Sequence, residues 1–317
     1  MTEDSREQAR RAREAMSVDA LWPRAGGWPD FESVEGDVDA VLVGLGTHST
    51  SISLTNARTT PGAVREALAR YSPFAYGTSV DELVVADAGD ADGPDAREAD
   101  AAALVQDAAS RSRLVIALGG DNAATVPAAV GTWEAHRAGG SEAGGAQAGL
   151  ITLDAHHDLR DGVSNGSPVQ RLISAGLDPR RVVQVGIQDF ANSRAYAERA
   201  GDLGVTVISR AECEAASMAA VAERALSIAG AGGGIVHVDI DVDACDRSVV
   251  PGCPASVPGG LSAWQLRSFV RELCRDARVR SIDFTEVDAS ADTEDGRTVR
   301  LVALGVLEAL AGLAERR

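Results

Sequence analysis

The chain has 317 residues, a net charge of −17, 45% apolar residues and 24% charged residues. This balance is globular and excludes bulk disorder. The acidity argues against the basic face that nucleic-acid binding requires, and no apolar run approaches the ~20 residues needed to cross a bilayer. Every cation is arginine; there is no lysine. The four cysteines, Cys213, Cys245, Cys253 and Cys274, form no C-x-x-C pair, so no disulfide scaffold is expected. The opening MTEDSREQARRAREAM lacks an apolar stretch, so no secretory signal is expected and cytoplasm is the default.

In chain order, residues 1–35 read as an N-terminal arm: a charged, potentially helical start, then WPRAGGWPDF, too rich in Gly and Pro for regular structure. Residues 36–317 read as a single domain. Its short β-branched apolar runs are Ala40–Leu45, Leu83–Ala86, Leu114–Leu118, Leu150–Leu153, Val182–Ile187, Val205–Ile208, Ile235–Ile240 and Val279–Phe284. Helical stretches lie between several of them, among others Pro61–Tyr71, Ala123–Arg137, Ala211–Ala229 and Ser262–Asp276. Alternating β and α units predict a mostly parallel sheet of about eight strands with helices on both faces. An eight-unit barrel is the competing architecture. Residues 138–148 (AGGSEAGGAQA) read as a surface loop.

In an open α/β sheet, ligands bind beyond the carboxyl ends of the strands. LVIAL runs into Gly119-Gly120-Asp121-Asn122, LITL into Asp154-Ala155-His156-His157-Asp158, IVHVDI into Asp239, Asp241, Asp243 and Asp246, and SIDF into Thr285-Glu286. Four strand ends thus bring carboxylates, an imidazole and an amide to one rim. Carboxylates so crowded repel unless some protonate or a cation neutralises them. Asp-rich ligation with one or two His suits a hard or borderline divalent ion, Mn²⁺ first, with Mg²⁺, Fe²⁺, Ni²⁺ or Zn²⁺ behind it. In Asp154-x-His156-x-Asp158 and Asp241-x-Asp243, an extended backbone puts alternate side chains on one side.

These motifs resemble the ureohydrolase family of arginases, agmatinases, guanidinobutyrases and formimidoylglutamases, from about Val41 to the C-terminus. D-A-H-x-D matches Asp154–Asp158. S-x-D-x-D-x-x-D-P matches at Asp241, Asp243 and Asp246, with Asp239 in place of Ser and Arg247 in place of Pro. PGCPASVPGG (Pro251–Gly260) resembles the proline–glycine stretch that follows in the family, and Glu286 resembles its late glutamate. The resemblance implies a three-layer αβα sandwich and two Mn²⁺, one held by Asn122, Asp154, Asp158 and Asp241, the other by Asp154, His156, Asp241 and Asp243. It implies metal-assisted hydrolysis of a planar amidine carbon. Asp158 or Asp243 would pass a proton to the leaving nitrogen, and Glu286 would hold the cationic amidinium by a charge-assisted hydrogen bond. It also implies a small-molecule substrate and a homo-oligomer, trimer or hexamer; the composition of residues 1–35 suits an arm that wraps a neighbour.

Two departures matter. Asn122 stands where most members carry a metal-binding His, so one Mn²⁺ site is expected to be weak. Asn165, in SNGSPV (Ser164–Val169), stands where arginase-type members carry His. The run from Asp154 to Ser193 is similar to formimidoylglutamases of histidine breakdown, which hydrolyse N-formimidoyl-L-glutamate to glutamate and formamide. Its dicarboxylate tail calls for cations, and Arg160 and Arg171 flank the loop that would meet it. Asn165, Ser167 and His48 complete the expected substrate-binding set. The alternatives are a guanidino hydrolase releasing urea and a family member without catalysis. A dinucleotide fold is disfavoured, because Gly44-x-Gly46 lacks a third spaced glycine.

Overall fold

A computed structural model describes residues 19–138 and 147–316. The expected helical start of the arm and most of the loop at 138–148 lie outside the described residues. The strands, in chain order, are β1 (Val38–Leu45), β2 (Phe74–Ala75), β3 (Thr78–Ser79), β4 (Val85–Asp90), β5 (Ser112–Gly119), β6 (Gly149–Leu153), β7 (Val182–Ile187), β8 (Thr206–Ser209), β9 (Val236–Asp241) and β10 (Val279–Thr285). β2 and β3 make a small antiparallel hairpin, and the other eight form one sheet in the order β4-β1-β5-β10-β9-β6-β7-β8. Every pairing in that sheet is parallel. Its ends do not meet, so it is an open sheet and not a barrel.

The chain flanks β1 with β4 and β5, then jumps to β6 and builds outward through β7 and β8. It returns last to fill the gap with β9 beside β6 and β10 beside β5. The strand order reverses at that gap, and a crevice opens there outside the carboxyl ends. β5, β10, β9 and β6, which carry the four motif-bearing ends, are therefore consecutive neighbours at the centre of the sheet.

Period-two alternation sorts the central strands onto two faces. Ile116, Leu118, Ile151, Leu153, Val238, Ile240, Ile282 and Phe284 form one face with the helices Thr60–Leu68, Met218–Ala229, Ala263–Cys274 and Arg297–Ala314. Val41, Val43, Val115 and Ala117 face Glu98–Ser110 and the Ala124 and Ala128 region that leads into and through Thr125–Ala138. The result is the three-layer αβα sandwich expected from the sequence.

One expectation about an element needs correction. The helix expected over Ala211–Ala229 is two helices, Arg210–Ala215 and Met218–Ala229. Ala216 is extended (φ −122°, ψ 160°), and the Ser217 side chain accepts the Ala220 N–H, starting a new helix instead of continuing the old one. The described part of the arm also packs on the domain itself. Phe31 and Ala25 are buried, Pro29 O accepts the Asp87 N–H on the β4 edge, and the Arg111 guanidinium lies 4.5 Å over the Phe31 ring.

Candidate functional site

At the end of β5 the backbone turns through Gly120 to Asn122. A Cβ on Gly120 would sit 1.9 Å from Thr47 O, so only glycine allows the approach. Thr47 closes it, accepting from Asp121 N–H (2.9 Å) and donating its hydroxyl to Asp121 O (2.9 Å). Local turns shape the other ends. Asp154 Oδ1 accepts the His156 N–H (2.6 Å), Asp241 Oδ1 accepts the Asp243 N–H (2.8 Å), and Asp243 Oδ1 takes the Ala155 N–H (3.0 Å), stitching the ends of β6 and β9 together.

The carboxylates and imidazole converge. His156 Nδ1 is 2.7 Å from Asp243 Oδ2 and 3.6 Å from Asp154 Oδ1. Two groups bring ligand atoms within 4.8 Å of one another: Asp154, His156 and Asp243, and Asp154, Asp158 and Asp241. Asp154 belongs to both. Its Oδ2 is buried without a hydrogen-bond partner, and that orphaned oxygen is what a cation would satisfy.

The electrostatics carry the strain of this crowding. Burial, then the Asp243 charge, pushes Asp154 up to about 7. Burial first, and neighbouring carboxylates second, raise Asp158 and Asp241 well above the ordinary range. Burial also opposes ionisation of Asp243, but the His156 charge and hydrogen bond hold it below its usual value. His156, despite its own burial, rises to about 12 on the same contacts with Asp154 and Asp243. Buried carboxylates raised by one another, beside an imidazole raised by them, make a site that favours positive charge.

Asn122 is buried beside the carboxylate cluster. Its Oδ1 accepts hydroxyls from Thr125 (2.8 Å) and Thr285 (3.1 Å), and its Nδ2 donates to Asp158 Oδ2 (2.5 Å). The amide thus links Asp158 to the hydroxyls of Thr125 and Thr285.

Glu286 sits at a left-handed backbone position (φ 59°) just past β10 and is buried. Its Oε1 accepts from Asn122 N–H (2.9 Å) and Asn165 Nδ2 (2.7 Å). Burial drives its pKa up to about 7, against those two donors. Asn165 Oδ1 in turn takes the Ile52 N–H (2.9 Å), tying the loop after β1 over the site.

A cavity of about 290 Å³ opens here, lined by His156, Asp158, Asp241, Asp243 and Glu286 below and by Ile52, Arg160, Asn165, Asn192, Ser193 and Tyr196 nearer the mouth. Arg160 lies at this mouth, and no hydrogen bond or ion pair of its guanidinium is found among the described residues. The other expected tail-binding groups are occupied elsewhere. Arg171 makes a two-point pair with Glu98 (2.6 and 2.9 Å), and His48 Nδ1 lies 3.1 Å from Asp95. Ser167 is buried and bonds Ser164; neither it, Arg171 nor His48 lines the cavity. Asp246 closes a turn with Ser248 and Gly259.

Sequence reasoning passed over three contributors. His157, the second histidine of D-A-H-H-D, lines the cavity, with Nδ1 on Gln184 Oε1 (2.7 Å). Asn192 pins the same loop, donating to Ala155 O (2.8 Å) and accepting from His157 N–H (3.0 Å). Tyr196 lies in the first turn of the helix Arg194–Leu203 beyond it. The signal for the last two was their position, in the segment that follows the carboxyl end of β7.

The Arginase family model matches residues 38–312. The chain belongs to the arginase family. This arginase-family protein is 30% identical to the formimidoylglutamase of Halalkalibacterium halodurans over 286 residues, 86% of either chain. Its fold matches the crystal structure of the Bacillus subtilis formimidoylglutamase with a TM-score of 0.82 and 26% identity, covering 94% of both chains. It also matches a Trypanosoma cruzi formiminoglutamase structure with Mn²⁺, with a TM-score of 0.80 and 22% identity, covering 90% of this chain and 97% of that one.

Proposed function

We propose that this arginase-family protein is a Mn²⁺-dependent formimidoylglutamase that hydrolyses N-formimidoyl-L-glutamate to L-glutamate and formamide. The observation that carries this reading is a cavity with clustered carboxylates and Glu286 at its floor and, at its mouth, the guanidinium of Arg160, which has no ion pair among the described residues. The formimidoylglutamase relatives support the substrate.

The donor set fits two hard or borderline cations. Asp154, His156 and Asp243 would hold one; Asp154, Asp158 and Asp241 would hold the other. When bound, the pair supplies the positive charge that makes water a competent nucleophile toward an amidine carbon near neutral pH. Asn122 lies beside the second set, within reach of Asp158, and an amide at the place where most members carry His supports that set as the weaker of the two.

The protein's own groups do the rest. Glu286 commits one oxygen to Asn122 and Asn165, and its other oxygen is available to an amidinium N–H. The amidine plane is thereby held over the carboxylates. Asp158 and Asp243 line the cavity, and one or the other would pass a proton to the leaving nitrogen. The tail, with two carboxylates, meets Arg160, Ser193 and Tyr196. An amine-tailed guanidino compound would meet the Arg160 charge instead, which disfavours that class. We also infer a cytoplasmic homo-oligomer, trimer or hexamer. No helix among the described residues is long and apolar enough to cross a membrane.

The test is incubation of the full chain with excess Mn²⁺ and N-formimidoyl-L-glutamate, with glutamate and formamide quantified. Release in equal amounts is expected. No release with two Mn²⁺ bound would overturn the substrate, and hydrolysis of guanidino acids or agmatine under the same conditions would replace it.

A further inference from the structure

The Arg160 guanidinium has no hydrogen bond or ion pair among the described residues, so what aims it at the cavity mouth is the backbone on which it stands. That backbone is held from two sides. On one side the Arg160 N–H donates to Gly166 O (3.0 Å). The Arg160 stem then crosses the bare Cα of Gly166: a Cβ there would lie 2.8 Å from Arg160 Cδ and 3.0 Å from its Nε. On the other side stands Arg199, on the helix Arg194–Leu203. Its Nη1 donates to Leu159 O (2.7 Å) and Asp161 Oδ1 (2.9 Å), and its Nη2 to Asp161 Oδ2 (3.3 Å). Leu159 and Asp161 are the residues immediately before and after Arg160, so one guanidinium grips both neighbours.

Arg199 is itself steadied. Tyr196 precedes it by three positions, on the same face of the helix. The Arg199 guanidinium carbon lies 5.5 Å from the centroid of the Tyr196 ring, within the range of a cation–π contact. Arg199 does not line the cavity; it acts from behind. A pair with Asp161 alone, whose side chain is 80% exposed, would contribute little. The charged donor on the Leu159 carbonyl is the stronger contact. It ties the helix after β7 to the loop after β6. Leu159 is buried, so this carbonyl is a fixed point and not a surface loop free to follow the arginine.

We propose that Arg199 is a positioning residue for recognition of the substrate's tail. By holding Leu159 and Asp161 it fixes the direction in which Arg160 leaves the backbone, and so the point at which the tail carboxylates are met. A planar fork can serve a carbonyl and a carboxylate together, which the point charge of a lysine cannot. This inference deepens the hydrolase reading of the same site and rests on its assignment of Arg160 to the tail.

A double-mutant cycle on the Mn²⁺-loaded full chain tests it, using Arg199→Ala, Arg160→Ala and the pair. Arg199→Ala should raise KM for formimidoylglutamate by about 3–10-fold, with kcat and Mn²⁺ content at the wild-type level. In the Arg160→Ala background most of that effect should vanish. A merely structural role would lower kcat or Mn²⁺ content as well. Should Arg199→Ala fail to fold, Arg199→Lys takes its place with the same expected outcomes. A wild-type KM in the Arg199 variant, a fall in kcat as large as the rise in KM, or effects on KM that multiply in the pair would overturn the proposal. If the wild type leaves formimidoylglutamate intact, the substrate reading fails by itself, and calorimetry with glutarate, a dicarboxylate of the same length as the tail, replaces KM. A loss of glutarate affinity in the Arg199 variant that disappears without Arg160 supports the positioning role. Affinity indifferent to Arg199, or no glutarate binding at all, ends it.

Discussion

Arg160 and Arg171 flank the same loop, yet among the described residues only Arg171 has an ion-pair partner. Arg171 is held at two points by Glu98, whereas Arg160 lies open at the cavity mouth. A guanidinium–carboxylate contact is worth about 1.5–3 kcal/mol. Arg160→Ala should therefore raise KM for formimidoylglutamate by about 10–100-fold and leave kcat nearly unchanged, as steady-state kinetics would show. Arg171→Ala should leave KM alone and cost about 0–1 kcal/mol of stability, the range of a partly exposed pair. Equal effects on KM would remove the distinction between the two arginines. Glu286 sits closer to the chemistry. Glu286→Gln keeps its size and hydrogen bonds but loses its charge, so kcat/KM should fall by about 10–100-fold while Mn²⁺ content stays at the wild-type level.

At the scale of elements, the caps explain where helices begin. Ser217 accepts from Ala220 N–H, and Ser262 forms a reciprocal capping box with Gln265. Ser217→Ala should cost about 1 kcal/mol in urea unfolding; no loss would mean that packing alone places the break after Ala216. The C-terminal end of Arg297–Ala314 is fastened by Glu315, which meets Arg271, Arg275 and Thr78. Burial alone would raise its pKa, but those three donors hold it down at about 2, below the ordinary 4.5. A depressed folded pKa adds stability above the unfolded value and loses it as pH falls through the folded one. Glu315→Gln should hence destabilise the protein at pH 7, with the difference shrinking between pH 4.5 and pH 2. A difference that stays constant across that window would contradict the role of its charge.

For the whole molecule, the empty site opposes folding as pH rises. Asp154 and Glu286 both move up to about 7, chiefly through burial. A raised folded pKa contributes stability below the unfolded value and loses it as pH climbs through the folded one. The metal-stripped protein should lose melting temperature between pH 4 and pH 7, beyond the change expected of its surface groups. Saturating Mn²⁺ should raise the melting temperature by mass action, most at the upper end of that range. A Mn²⁺ effect that is the same at both ends would argue that these groups do not share the metal's site.

Most of this architecture was legible along the chain. The apolar runs located the sheet strands to within a few residues, because burial on both faces leaves a local mark. What followed each run located Asp154, His156, Asp158, Asp241, Asp243 and Glu286, because ligands gather at carboxyl ends whatever the strand order. The D-A-H-x-D and D-x-D spacings were readable because a two-residue repeat is local geometry. Three matters belonged to the tertiary structure. β9 and β10 fill the gap between β5 and β6, which depends on contacts between residues far apart in the chain. The Asn122 amide links Asp158 to hydroxyls from two other places in the chain, Thr125 and Thr285. Arg171 is withdrawn from the mouth by Glu98, a residue on a different helix. Residue type and spacing name the candidate ligands. Which side chains face the site is decided by partners that only folding brings near.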